Sequence, residues 1–121
     1  MSDSLAQRTC QSCEGIGKPL AADEARNYLT NLDGWQIDET GKILRRTLNM
    51  KNFLAAIEFM NEIAKIAEAE NHHPDFHLTN YRKLRIDLST HAIGGLSEND
   101  FILAAKINQL PAKLLTFVQP M

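Results

Sequence analysis

The chain has 121 residues, a formal net charge of −2 and a hydrophobic content of 44%. These values predict one globular domain and exclude a disordered chain. So small a charge provides no strong field for nucleic acid or anionic lipid, and no apolar run approaches the ~18 residues of a membrane span. We therefore expect no nucleic-acid partner and no membrane partner. The N-terminus has no apolar signal core, so a cytoplasmic location is the default expectation.

The first 19 residues read as a tail, because they lack periodicity and end in Gly15, Gly17 and Pro19. The tail contains a C-x-x-C motif, Cys10 and Cys13, without a second such motif that would complete a zinc site. A redox motif would normally lie between a strand and a helix, so a mobile, reduced tail is the favoured interpretation. We assign residues 1–19 to an N-terminal tail and residues 20–121 to a single domain.

Hydrophobic spacing predicts the elements of that domain. In chain order they are a helix, two strands, a helix, two strands and a helix: Asp23 to Leu32, Trp35 to Asp38, Lys42 to Asn49, Lys51 to Glu70, Asp75 to Asn80, Lys83 to Thr90, and a last helix that opens at Ser97 and stops or kinks at Pro111. Short loops between paired strands indicate an antiparallel sheet. The predicted fold class is α+β, a four-stranded antiparallel sheet with helices packed on one face.

Two of the helices have features that leave alternatives open. The apolar stripe of the helix from Lys51 to Glu70 is wide, which fits either a core helix with spare apolar surface or a helix that also contacts another subunit. Ser97 to Asp100 has the pattern of a capping box with Asp in place of Glu. Asp100 could therefore cap the helix or act directly in a site.

All four histidines, His72, His73, His77 and His91, lie within a stretch of 20 residues, so they are candidates for proton transfer or metal binding. Adjacent histidines on an extended backbone point in opposite directions, and H-H-P-x-x-H lacks the helical pairing of the H-E-x-x-H zinc motif. Metal binding is therefore disfavoured, while proton transfer and surface histidines without a role both stay open. Because each histidine is predicted in a loop or at a strand end, we expect none to be needed for the core.

The region around the histidines resembles the signature of the pterin-4a-carbinolamine dehydratase family. The matching residues are Glu68-x-x-x-His72-His73-Pro74, Tyr81, Ser89-Thr90-His91 and Gly95-Leu96-Ser97-x-x-Asp100, together with Gly34-Trp35 and Lys51-Asn52-Phe53. The likeness covers roughly Leu20 to Leu110. The C-x-x-C segment resembles a tail in some bacterial members.

The resemblance implies the same α+β fold and a homodimer or homotetramer. It also implies a dehydratase that removes water from 4a-hydroxytetrahydropterin, giving quinonoid dihydropterin and recycling the pterin of an aromatic amino acid hydroxylase. No metal or other cofactor is implied. Animal relatives also serve as dimerisation cofactors of a homeodomain transcription factor, which is the alternative function.

The resemblance also implies the site residues. Carried over by position, the catalytic and binding histidines are His72, His73 and His91, with His72 and His91 assigned to proton transfer and His73 to holding the pterin. Glu68 is the supporting carboxylate, one helical turn before His72, and Asp100 is the second acidic residue. His77 matches no functional position.

Overall fold

The computed structural model describes residues 5–11 and 17–115. Its three helices are α1 (Ala22–Leu29), α2 (Phe53–Glu70) and α3 (Glu98–Asn108), and its four strands are β1 (Gln36–Ile37), β2 (Leu44–Asn49), β3 (Asp75–Thr79) and β4 (Lys83–Leu88). Short 3-10 turns cover Leu5–Gln7 and His91–Ile93. The predicted order of elements in the domain is confirmed. The first helix ends at Leu29 rather than Leu32 because the next residues form tighter turns. The Asn31 and Leu32 N–H groups donate to the carbonyls three residues back, at 3.2 and 3.0 Å, and Gly34 then turns the chain with a φ of 85°.

The strands form one antiparallel sheet in the order β1-β2-β4-β3. Alternate residues of the central strand β4, Leu84, Ile86 and Leu88, are fully buried. Their neighbours Arg85 and Asp87 point to the other face, as the two-residue period of a strand requires. The predicted α+β fold with a four-stranded antiparallel sheet is confirmed.

The core lies between this sheet and the helices. α2 contributes Ala56, Phe59 and Ile63, and α3 buries nearly every residue from Asn99 to Ile107, so α3 is the most enclosed helix among the described residues. Phe53 and Leu54, at the start of α2, stay exposed. No helix in the described ranges combines the length and apolar character needed to cross a membrane.

The N-terminal segment is not the free tail that the sequence suggested. Leu5 is buried in the core, and Ala6 and Cys10 pack against it. The Lys106 ammonium donates a hydrogen bond to the Ala6 carbonyl at 2.8 Å. The expectation that the tail is not tied to the domain is therefore wrong for residues 5–11, because one leucine and a few polar contacts hold a segment too short for periodicity. Cys13 lies outside the described residues.

Candidate active site

Three of the four histidines lie beyond one end of the sheet. β3 begins at Asp75, which pairs with Asp87 near the end of β4. His72 and His73 come just before β3, and the turn that begins at His91 follows β4. Because β3 and β4 are antiparallel, these residues lie at the same end of the sheet.

The end of α2 positions His72. Asn71 adopts the left-handed conformation with a φ of 54° and donates its N–H to carbonyls of the last helical turn. The backbone N–H of His72 donates to the Ala67 carbonyl at 3.2 Å. Pro74 keeps the residue before it, His73, in an extended conformation. The His72 side chain is only 6% exposed, with its Nε2 atom 2.6 Å from Asp100 Oδ1. This burial argues, for His72, against the expectation that no histidine is needed for the core.

Asp100 is the most enclosed charged residue of the site. Its Oδ2 atom accepts a hydrogen bond from the Ser97 N–H at 2.9 Å and another from the Thr90 hydroxyl at 2.8 Å. The capping box is therefore present, and the same carboxylate also contacts His72, so the two roles left open for Asp100 are not exclusive. Because an ionised carboxylate only accepts, His72 donates through Nε2–H, which leaves Nδ1 for other chemistry.

Two hydroxyls extend this network behind the carboxylate. The Thr90 and Ser97 oxygens are 2.8 Å apart and both side chains are buried. Since Thr90 uses its single hydrogen on Asp100, the Ser97 hydroxyl donates to Thr90. The sequence places Thr90 and Ser97 in the matching motif, but it assigns Ser97 only its place in the capping box and Thr90 no role.

His73 forms a second pair on the outside of the molecule. Its Nε2 atom lies 2.7 Å from Glu68 Oε2, and the two side chains are 53% and 77% exposed. Glu68 therefore supports His73 and not His72, which lies one turn beyond it in the sequence. The physical reason is the left-handed Asn71, which ends the helix and directs His72 inward.

His91 is exposed at the start of its 3-10 turn and, among the described residues, has no side-chain hydrogen bond. The loop that follows is held by backbone contacts: Thr90 pairs with Gly95, and the Leu20 N–H donates to the Leu96 carbonyl at 2.8 Å. A Cβ atom on Gly95 would lie 2.8 Å from the Pro19 ring, so this close approach requires glycine.

His77 lies away from this group, on the face of the sheet that bears Arg85 and Asp87. Its Nε2 atom is 3.6 Å from Asp87 Oδ2, and Arg45 also binds the Asp87 carboxylate through two nitrogens, at 2.8 and 3.2 Å. The omission of His77 from the site residues stays a prediction.

A cavity of 770 Å³ opens beside the site but not at the histidines. It lies between α1, the β1–β2 hairpin and the loop from Gly94 to Leu96, and no histidine lines it. We place the site at the histidines because they supply acid–base groups, whereas this cavity is lined mostly by apolar residues and a hairpin turn. Within residues 5–11 and 17–115, no cluster of three or more His, Cys, Asp or Glu side chains could hold a metal ion.

Comparison with known proteins identifies the family. The sequence model of pterin 4 alpha carbinolamine dehydratase matches residues 18–110. The chain belongs to this family. A protein of Legionella pneumophila (strain Corby) named as a pterin-4-alpha-carbinolamine dehydratase is 43% identical over 111 residues, which cover 91% of this chain and 97% of that protein. A protein of the same name from Nitrosospira multiformis is 44% identical over 108 residues, covering 89% and 93%.

The fold of the dehydratase family agrees with the structure. A crystal structure of a transcriptional coactivator/pterin dehydratase from Brucella melitensis superposes with a TM-score of 0.70 and 33% sequence identity, covering 75% of this chain and 96% of that one. The family match spans every helix and strand from α1 to α3. The segment 5–11, which packs on α3, lies before the matched region.

Proposed function

We propose that the protein removes water from a 4a-hydroxytetrahydropterin to give a quinonoid dihydropterin. The observation that carries this proposal is the buried His72–Asp100 pair at the sheet end where the exposed His73 and His91 also lie, in a chain of the dehydratase family. The reaction breaks the C4a–O bond and the N5–H bond, so it needs one group that donates a proton and one that accepts a proton. Histidine does both near neutral pH.

The proposed proton-transfer residues are His72 and His91. Asp100 fixes the His72 ring through Nε2, so Nδ1 can take a proton when the ring is neutral and donate one when the ring is charged. Because His91 is exposed and unpaired within the described chain, its ring is free to meet a substrate from the other side.

The exposed pair has a different proposed role. His73, held by Glu68, presents a polar edge at the mouth of the site and binds the pterin, whose amide and amine groups are hydrogen-bonding partners. Such a pair binds ground state and transition state alike, so it contributes mainly to the Michaelis constant.

The experiment that tests the function is a stopped-flow assay with synthetic 4a-hydroxytetrahydropterin, in which formation of the quinonoid product is followed by absorbance. We expect the protein to accelerate product formation in proportion to its concentration. A rate equal to that without protein would contradict the proposal.

We also propose a source for the substrate and an oligomeric state for the protein. We expect the substrate to come from a pterin-dependent aromatic amino acid hydroxylase, because that reaction leaves the 4a-hydroxy adduct. A homodimer or homotetramer fits the exposed Phe53 and Leu54 on α2, since a second copy would cover this apolar surface. The cytoplasmic location stays a prediction of the sequence.

A second candidate function is that of a protein-interaction or dimerisation cofactor for a transcription factor. The observation in its favour is the name of the Brucella melitensis protein, which joins coactivator and pterin dehydratase. Loss of turnover in His72 and His91 variants would leave such a role intact, so the two functions are separable by experiment.

A further inference from the structure

The segment Leu5–Gln11, called the strap below, connects the two helix ends that carry the His72–Asp100 pair. Its Cys10 N–H donates to Glu70 Oε1 at 2.7 Å, and Glu70 is the last residue of α2, two positions before His72. At the other helix, Gln11 is bound by Asn99, the neighbour of Asp100. One short segment therefore joins the end of α2 to the start of α3.

The Asn99 side chain pairs with both backbone polar groups of Gln11. The Asn99 amide accepts from the Gln11 N–H at 3.0 Å and donates to the Gln11 carbonyl at 2.8 Å, as a paired strand would. Asn99 is 1% exposed, so the strap satisfies a polar side chain that water cannot reach. Loss of this contact would remove two hydrogen bonds from the buried Asn99 amide next to Asp100.

Further contacts hold the strap along the whole of α3. Arg8 forms an ion pair with Glu98 in the first turn, and Lys106 in the last turn binds the Ala6 carbonyl at 2.8 Å. The same lysine lies 3.6 Å from Glu70 Oε2, which connects the two helices a second time. These contacts fix the strap, and through it the separation of the helix ends.

We propose that the strap is a positioning element for the catalytic pair, and that Glu70 and Asn99 are positioning residues that act through it. The inference rests on the proposed function for its kinetic part only. An Asp–His pair at 2.6 Å is sensitive to small shifts of either helix end, because misplacement by about 1 Å can cost on the order of a hundredfold in rate. The strap lies before the region matched by the family model.

Cys10 provides a reporter of strap docking that does not depend on activity. Its burial, followed by the nearby Glu70 and Asp100 carboxylates, raises the pKa of the thiol to about 12. Because the thiolate is the reactive form, a docked strap keeps Cys10 slow toward thiol reagents and an opened strap exposes it. A Cys13→Ser background leaves Cys10 as the single cysteine of the chain.

The test compares Glu70→Ala, Glu70→Gln and Asn99→Ala in that background, with Glu62→Ala as the matched control. Glu62 is another α2 glutamate, exposed and paired with Lys65. Three quantities are measured: the Cys10 labelling rate with an aromatic disulfide reagent, the His72 ring signals in nitrogen-15 NMR spectra, and kcat and KM with 4a-hydroxytetrahydropterin.

We expect Glu70→Ala and Asn99→Ala each to speed labelling by about tenfold or more, to move the His72 signals, and to lower kcat by roughly tenfold to a hundredfold with little change in KM. Glu70→Gln keeps an oxygen acceptor for Cys10 but removes a charge that raises the thiol pKa. It should label faster than the parent but slower than Glu70→Ala, and it should keep the parent's His72 signals and kcat. Glu62→Ala should match the parent in all three measurements. Asn99→Ala serves if Glu70→Ala does not fold.

Faster labelling with unchanged His72 signals would overturn the proposal, because the strap would then open without disturbing the pair. Unchanged labelling in both alanine variants would also overturn it, since the contacts would not hold the strap. Absence of turnover in the parent protein would count against the proposed function alone, and the labelling and NMR results would still decide the role of the strap.

Discussion

The His72–Asp100 and His73–Glu68 pairs have nearly the same nitrogen–oxygen distance, 2.6 and 2.7 Å, in opposite surroundings. The first pair is buried and its carboxylate has two further donors, Thr90 and Ser97. The second is open to solvent, where ion pairs contribute little to stability and are screened by salt. We therefore expect the adjacent residues His72 and His73 to serve different purposes, because the first is fixed by the fold and the second can adjust to a ligand.

The largest effect is expected from His72→Ala. Removing a positioned acid–base group should lower turnover toward the range of about 10²–10⁴-fold, with the lower part favoured because carbinolamines also dehydrate unaided. The change also leaves a buried Asp100 oxygen without its donor, which should reduce the free energy of unfolding by about 1–3 kcal/mol. Kinetic assays and chemical denaturation measure the two losses. Wild-type turnover in this variant would contradict the proposed role.

Two substitutions of Asp100 distinguish helix capping from a role in turnover. Asp100→Ala loses a helix cap and leaves buried donors unpaired, so we expect stability to fall by about 2–4 kcal/mol and turnover to fall with it. Asp100→Asn keeps one acceptor for the Ser97 N–H but presents an amide N–H₂ to His72, which favours the wrong tautomer of the ring. This variant should keep most of the stability and still lose turnover. Full activity of Asp100→Asn would mean that Asp100 only caps the helix.

His73→Ala should have a smaller and different effect. If His73 holds the pterin, the variant raises the Michaelis constant by several-fold and lowers kcat less, with an unfolding midpoint close to the wild type. His77→Ala is the matched control, since His77 is similarly exposed, at 46%, and lies on the far face of the sheet. Equal losses in the two variants would remove the distinction between them.

The smallest effect is expected from metal removal. The proposed acid–base chemistry uses side chains alone, so turnover should be the same, within error, before and after dialysis against a strong chelator. Loss of activity that zinc restores would contradict this prediction.

Much of the fold could be predicted from the sequence because its signals are local. Alternation in Leu84, Ile86 and Leu88 predicts the central strand, and the Ser97–Asp100 box predicts the start of α3. The contact between His72 and Asp100 spans 28 residues and depends on the left-handed Asn71, so no local pattern indicates it. The strap leaves no periodic signal for a related reason, since it is held by Leu5 and by single contacts with side chains of the distant helices α2 and α3.

The family motif predicts the site residues but not their surroundings. The spacing of Glu68 and His72 predicts neighbours on one helix face, whereas the helix ends between them and Glu68 contacts His73. The sequence does not indicate that Thr90 contacts Asp100, because a buried threonine cannot be told from an exposed one by residue type.

The most direct test of the proposed chemistry is a double-mutant cycle on His72 and His91 with synthetic 4a-hydroxytetrahydropterin, read as the stopped-flow rate of quinonoid dihydropterin formation. If the two rings act as one unit in proton transfer, each single alanine variant loses most of the catalysis and the double variant loses much less than the product of the single losses. If the rate loss of the double variant equals the product of the two single-variant losses, a joint role is contradicted. Full turnover in His91→Ala would contradict the assignment of His91.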